Sequence, residues 1–372
     1  MNPMQIAINA RFLTQKMSGV QRYAHELLRA INDLVDNKDP AVAGLSFRLL
    51  APAHPGVSDP AFANLPLQTF GRGSGHFWEQ LYLPGALKRG ELLFCPGNTA
   101  PLRSLQNRQV VVTVHSLSFR YFPEAYSLLF RLVYRAQMPL IMRQARVITV
   151  SESEKKAILN YYPRAGGHLG VVHNGGFGKR FEKVIAQPPP PRDPNAVLYV
   201  GAINRLKNPQ RIIDAMALLL EKHPLHLTIA GGGGQSFRKN PFRIPDSMKN
   251  RVTFTGQIED TQELIRLYQS AGIMVFPSFY EASPLPPIEA MACGCPVVAG
   301  DIPALRERCG EAAVFCQPGE VSSIAGALDK ILSQPALARE LSQKGLERAE
   351  RFTWEACARQ TLAIIREAGE KR

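Results

Sequence analysis

The 372-residue chain is short of several things at once. It has 6 cysteines and 2 tryptophans, and only 20% of its residues are charged. Six cysteines are too few to staple a chain of this size, and the "CGC" at Cys293 and Cys295 lacks the paired spacing of a zinc site. Reduced, buried thiols in a cytoplasmic protein are therefore the expectation. No stretch approaches the ~18 uninterrupted apolar residues of a membrane span. The opening "MNPMQIAINARF" runs into a strand-like segment, without the long apolar core of an export signal. D-x-D is absent, as is any His, Cys and carboxylate cluster with metal spacing, so no metal or other cofactor is expected.

Acidic residues are the scarcer sign. There are 31 Asp and Glu against 44 Lys and Arg, a formal net charge of +13. The imbalance is one-sided: 22 basic against 11 acidic residues over 1–186, and 22 against 20 over 187–372. Either the first half faces an anionic partner (a membrane surface, a phosphorylated lipid, a nucleic acid) or the excess only serves solubility.

What is present in quantity is apolar: 45% of the residues, ample for a core and enough length for about two to three domains. The run "QPPPPRDP" at 187–194 cannot continue a helix or pair within a sheet, and reads as a stiff linker. It divides a first domain, 1–186, from a second, 195–353, with a helical tail at 354–372. Strand candidates in the first half are 5–9, 47–51, 92–95, 110–115, 146–150 and 169–173. Those in the second are 196–200, 225–230, 252–255, 273–275, 297–299 and 313–315. Rich in Val, Ile and Leu and separated by helical patterns, they predict parallel sheets buried on both faces. The fold class is α/β, two doubly wound Rossmann-like domains with ligands beyond the carboxyl ends of the strands. Two such sites facing across a hinge would form a cleft. In the tail, "FTWEACARQTLAIIRE" can lay an apolar stripe on a neighbouring surface, with the first domain as its expected seat.

Four places join a strand end to residues suited to charge. In "INARFLTQKMSGVQRYAHELLRA", Gly19 precedes a helix and admits a ligand close to the backbone, where helix amides favour phosphate. It is neither a Walker loop nor G-x-G-x-x-G, and a plain loop glycine is the other reading. "VVVTVHSLSFRYF" ends an apolar strand at His115, which either donates to a substrate oxygen or is a structural histidine bonded to a carbonyl. "LYVGAINRLKNPQ" puts Arg205 and Lys207 in a strand-to-helix loop, suited to a diphosphate or simply solvated. "FYEASPLPPIEAMACGCPVVAG" stiffens a loop with three prolines and places Glu281 and Glu289 at its ends. Carboxylates there can bind vicinal hydroxyls, while Glu289 can equally be a first-turn acid favoured by the helix dipole.

Taken together, these segments resemble the large retaining glycosyltransferase family that includes sucrose synthase and many bacterial mannosyltransferases. The likeness runs through "SGVQRYAHELL", "FWEQLYLP", "VITVSESEK", "VVHNGG", "YVGAINRLKN", "VTFTGQI", the E-x7-E pair and the closing "RFTWEACA". It implies the GT-B fold and a metal-independent transfer of a hexose from a nucleotide-diphosphate sugar with retained configuration. It implies that Glu289 binds the ribose hydroxyls and that Glu281 lies near the donor sugar. Arg205 and Lys207 would hold the diphosphate, with Gly19 close to it and the amides near Leu285 turned toward it. His115 would sit near the reacting sugar, and the backbone from Gly256 to Ile258 would read the base. Three departures matter. Pro284 stands at a usual glycine and has no N–H to give, Ser116 follows His115 where many relatives have Asp, and Ala202 stands where part of the family has arginine.

The opening of the chain and "FWEQLYLP" look most like mannosyltransferases of surface-polysaccharide pathways, which favours GDP-mannose or another GDP-sugar, with UDP- and dTDP-sugars open. Over residues 126–146 an apolar-rich helical pattern carries Arg131, Arg135, Arg143 and Arg146 on one face. With the basic first half, this suggests peripheral docking at the inner face of an anionic membrane and a glycan acceptor on a polyprenyl pyrophosphate, as in lipopolysaccharide synthesis. No nucleic-acid partner is expected, since such a binder has no use for paired carboxylates. The alternative of another class is a non-catalytic nucleotide-sugar or carbohydrate-binding module on the same fold.

Overall fold

The computed structural model describes residues 3–54, 56–57, 59–106, 109–178, 181–232 and 242–370. Their contacts group into two units, Met1–Asn174 with Trp354–Arg372, and Gly175–Thr353. Residues 175–186 therefore go with the second unit, not the first. Phe177 meets Tyr268 edge-on at 6.1 Å, and the Gln269 amide donates to the Ile185 carbonyl at 3.0 Å. The proline run also ends inside that unit. Arg192 donates to the carbonyls of Ala271 and Cys293, each at 3.1 Å, and a strand begins at Asp193.

The first unit holds strands β1 (Met4–Asn9), β2 (Leu45–Pro52), β3 (Leu67–Phe70), β4 (Leu92–Cys95), β5 (Val110–Val114), β6 (Arg146–Thr149) and β7 (Leu169–Val171). They pair in parallel in the order β3-β2-β1-β4-β5-β6-β7. The second unit holds β8 (Asp193–Val200), β9 (His226–Ala230), β10 (Val252–Gly256), β11 (Ala271–Phe276), β12 (Val297–Gly300) and β13 (Ala313–Cys316), parallel in the order β10-β9-β8-β11-β12-β13. Every strand expected from the apolar runs is present. β3 was not expected, because "LQTF" is a half-exposed edge strand without a Val or Ile run. Its place depends on contacts from afar: Trp78 Nε1 donates to the Phe70 carbonyl at 2.8 Å, and Arg48 to the Gln68 side chain at 2.9 Å.

In each sheet the strand order reverses once, between β1 and β4 and between β8 and β11. Loops leaving the carboxyl ends of two such strands run to opposite sides and open a crevice, the usual ligand position of doubly wound sheets. The Trp354–Glu370 helix packs on the Gly19–Asp36 helix of the first unit, as its stripe required. Trp354 meets Tyr23 edge-on at 5.9 Å, and Arg359 pairs with Asp39 at 3.0 Å.

The arginine face needs one correction. The helix spans Leu128–Gln144, and its C-cap Ala145 is extended. Arg146 instead opens β6 and pairs with Glu367 at 2.8 Å. No helix among the described residues is long and apolar enough to cross a membrane. All six cysteines are buried free thiols, and burial pushes those of Cys295, Cys309 and Cys316 up to about 12. Such thiols are not nucleophiles at neutral pH.

Candidate functional site

In the second unit the crevice lies between the loop after β8 and the loop after β11. Asn208 closes the first loop in the left-handed region at φ 61°, a conformation asparagine tolerates better than most residues. Its Nδ2 donates to the carbonyls of Pro277 at 3.1 Å and Pro318 at 2.7 Å. The Phe279 amide donates back to the Leu206 carbonyl at 2.8 Å. The two loops are thus bolted together by buried polar bonds, which fixes the side chains they carry. Lys207 Nζ meets Glu281 Oε1 at 2.5 Å and stands over the Phe276 ring at 5.9 Å. Arg205, on the same loop, is exposed to solvent.

Burial and the Glu281 charge together push the nearby Tyr199 hydroxyl well above its ordinary value, and that hydroxyl donates to the Ala202 carbonyl at 2.9 Å. It is a neutral brace for the loop.

Leu285 caps the Pro286–Ala292 helix, and Glu289 stands in its first turn, wholly buried. The Tyr268 hydroxyl donates to Glu289 Oε2 at 3.3 Å. The two glutamates of the motif therefore have different neighbours, Lys207 for one and Tyr268 for the other. Because Pro284, Pro286 and Pro287 have no N–H, residues 284–288 offer only the amides of Leu285 and Ile288. Ile258 is half-buried after the edge strand β10, beyond the turn at Gly256, whose φ is 73°.

In the first unit a cavity of about 510 Å³ opens at the β1/β4 reversal, lined by Arg11, Ser18, His76, Asn98, His115 and Tyr134 among others. Gly19 begins the helix beside it, and a Cβ added there would meet no atom within 4 Å. His115 follows β5. Its amide donates to Asn98 Oδ1 at 2.7 Å, and its Nε2 to the Pro96 carbonyl at 2.8 Å. The carbonyl-bonded reading is the one the structure shows, so Nε2–H is already engaged. Burial lowers the ring to about 4, against the weaker opposing pull of that carbonyl. A neutral ring with Nε2–H engaged has Nδ1 left over as an acceptor. Tyr23 stands edge-on to this ring at 4.5 Å, with Trp354 behind it.

Beneath the cavity lies a network the sequence did not announce. Glu79 of "FWEQLYLP" is fully buried and accepts from Asn9 at 2.9 Å and Thr99 at 3.0 Å, with Arg11 Nε at 3.4 Å. Burial pushes its carboxyl up, but Arg11, His76 and Asn9 together hold it below the usual range. Gln80 donates to the Ala100 carbonyl at 3.0 Å and accepts from the Leu102 amide at 2.9 Å, so the motif clamps the loop after β4. Glu154 of "VSESEK" accepts from the Leu117 amide at 2.7 Å and secures the loop after His115. The hints of this network in the sequence are the motifs "FWEQLYLP" and "VITVSESEK" themselves and an arginine two residues beyond a strand, none of which says what it contacts.

Two family models account for most of the chain. The Glycosyltransferase Family 4 model matches residues 17–175, and the Glycosyl transferases group 1 model matches 180–348. The chain belongs to the group 1, family 4 glycosyltransferases.

Within this family it is 30% identical to a glycogen synthase of Mycobacterium tuberculosis over 264 residues, 68% of this chain and 62% of that one. The match thus spans less than two thirds of that relative. It is 29% identical to O-antigen chain mannosyltransferase B of Escherichia coli over 168 residues, 44% of each chain. The sucrose-phosphate synthase structure from Thermosynechococcus elongatus superposes with a TM-score of 0.74 at 23% identity, covering 99% of this chain and 100% of that one. The fold of this glycosyltransferase is GT-B, with a seven- and a six-stranded Rossmann-like sheet.

Proposed function

We propose that this glycosyltransferase moves a hexose from a nucleotide-diphosphate sugar to a glycan acceptor with retention of configuration. The carrying observation is the pair of bolted loops at the β8/β11 reversal, which brings Lys207 against Glu281. Breaking the sugar–phosphate bond leaves charge on the diphosphate. Fixed cations stabilise that charge as it grows, and Lys207 and Arg205 are placed to supply them, with the Leu285 and Ile288 amides. An arriving diphosphate takes Lys207 from Glu281 and frees that carboxylate to accept sugar hydroxyls. Glu289, steadied by Tyr268, takes the ribose hydroxyls, and the backbone at Ile258 reads the base. His115 accepts a hydroxyl at Nδ1. The leaving phosphate takes the acceptor proton.

The mannosyl reading, with GDP-mannose as donor and a lipid-linked acceptor of a surface polysaccharide, is supported by the motif resemblance and by the O-antigen relative. No metal is assigned a part, because the sequence has no D-x-D to hold one.

The test is thermal stabilisation by GDP, UDP, dTDP and ADP on wild type and Glu289→Ala. One nucleotide at about 100 times its Kd adds about 2.7 kcal/mol to wild type, and that gain is lost in the variant. A flat response to all four would leave a binding module for some other ligand as the better reading.

Gly19→Ala is a second, independent check. The added methyl meets open space within the protein, so folding stability stays within about 1 kcal/mol of wild type. Turnover falls at least about tenfold if a phosphate approaches that backbone. Equal turnover in both proteins would remove Gly19 from the site.

A further inference from the structure

Among the described residues of its unit, the outer face of the Leu128–Gln144 helix has no partner. Leu128 is 66% exposed, Leu129 73% and Leu132 56%, with Leu140 further along the same side. Single exposed leucines need no explanation, but three within two turns of one helix do. Arg131, Arg135 and Arg143 interleave with them, and the helix has no Asp or Glu at all. Its opposite face is core: Tyr134, Met138, Ile141 and Met142 are buried. Phe77 and Leu81, a turn apart, are likewise exposed on the Gly75–Leu81 helix. That helix adjoins the first, since His76 stands edge-on to Tyr134 at 5.9 Å.

We propose that this face is a membrane wedge, with Leu128, Leu129 and Leu132 inserted among the headgroups of an anionic bilayer and the arginines on its phosphates. Seventeen residues lie in the plane of such a surface, about 25 Å long, and do not cross it. A second copy of the chain fits the face poorly, because a two-fold contact there sets arginines against arginines.

The same segment also walls the cavity. Tyr126, Phe130 and Tyr134 stack at 5.0 and 4.0 Å along its inner side and line the space beside His115. A ring-stacked wall of this kind suits the apolar face of a sugar, with hydroxyls met by Asn98, Ser116 and Ser118. One helix thus presents leucines to lipid and aromatics to glycan. The acceptor is a sugar chain whose carrier stays in the bilayer. This last step rests on the transferase reading above; the wedge does not.

The experiment is co-sedimentation of the full chain with vesicles of phosphatidylcholine, alone and with 30% phosphatidylglycerol, at 0.1 and 0.5 M NaCl. Wild type is expected to sediment with the anionic vesicles. Leu128→Asp/Leu129→Asp lowers partitioning at least about tenfold at both salts. Arg131→Gln/Arg135→Gln lowers it at 0.1 M only, where charge is less screened. Leu128, Leu129 and Arg135 are exposed and Arg131 is half-buried, and unchanged thermal unfolding confirms the fold of each variant. No binding by wild type, or equal binding by the leucine variant, overturns the wedge. So does a concentration-dependent dimer that the leucine variant abolishes. Nucleotide stabilisation, read on the same proteins, is unaffected by either variant, so a failed donor site and a failed wedge give different patterns.

Discussion

Lys207→Ala should lower kcat about 10²- to 10³-fold, the typical loss on removing one preorganised charge-stabilising donor. Two effects combine. The cation that meets the departing diphosphate is gone, and Glu281, whose side chain is only 8% exposed, is left as an uncompensated carboxylate beside the space an anion must enter. The first effect acts on the transition state and appears in kcat. The second repels the donor itself and appears in KM. Steady-state kinetics on Lys207→Ala and on Lys207→Ala/Glu281→Gln separates them: neutralising the glutamate removes the repulsion and recovers part of donor KM, but not kcat. Lys207→Arg keeps the charge on a longer, planar group and retains part of the rate. If Lys207→Ala turns over within about threefold of wild type, the leaving group is stabilised elsewhere and the proposed donor site is wrong.

Glu79→Ala should be the most destabilising single change. Removing one partner of a buried ion pair costs about 3–5 kcal/mol, because the surviving charge is stranded. Here the stranded group is Arg11, which is 7% exposed, and Asn9 and Thr99 lose their acceptor in the same step. Urea unfolding of the full chain gives the direct measure. For a unit of this size the melting point drops by roughly 10 °C. Glu79→Leu/Arg11→Met removes both charges and recovers much of the loss, since apolar replacements of buried pairs are often neutral. Acid gives an independent check. The Glu79 carboxyl titrates below its ordinary value in the folded state, so its contribution is complete above the unfolded pKa and drains as pH falls through the folded one. Glu79→Ala should therefore flatten the acid limb of the stability profile. A loss under about 1 kcal/mol would mean that Arg11 finds another partner and that the network is not what holds the cavity floor.

Several features could be read from local pattern alone because the physics behind them is local. Parallel strands covered on both faces must be apolar throughout, so runs such as "VVVTV" and "GIMVF" announce β5 and β11 without further context. A stripe every three to four residues in "FTWEACARQTLAIIRE" announces a helix that needs a surface, and it found one on the Gly19–Asp36 helix. Lys207 and Glu281, 74 residues apart, were separate suggestions in the sequence, and the structure joins them.

Other readings depended on partners that no window of sequence contains. Arg146 lay on a helical face by periodicity, yet the chain turns extended at Ala145 and the arginine spends its charge on Glu367, 221 residues away. β3 exists because Trp78 and Arg48 hold it. The proline run drew the domain line at 187, while the contacts of Phe177 and Gln269 draw it twelve residues earlier. His115 looked able to donate to a ligand, and its Nε2–H is instead donated to the Pro96 carbonyl.

By itself, then, the sequence determined the α/β class, the strand inventory apart from one edge, the basic bias of the first half and the family. Each follows from composition or from residues close together in the chain. Tertiary structure alone decided which charges are paired, that His115 keeps only an acceptor at Nδ1, that Arg11 and Glu79 support the cavity, and that the leucines at 128, 129 and 132 face outward. Those are matters of burial and of contacts between distant residues. Their energies come from desolvation and from partners within about 4 Å, and neither is set until the chain has folded.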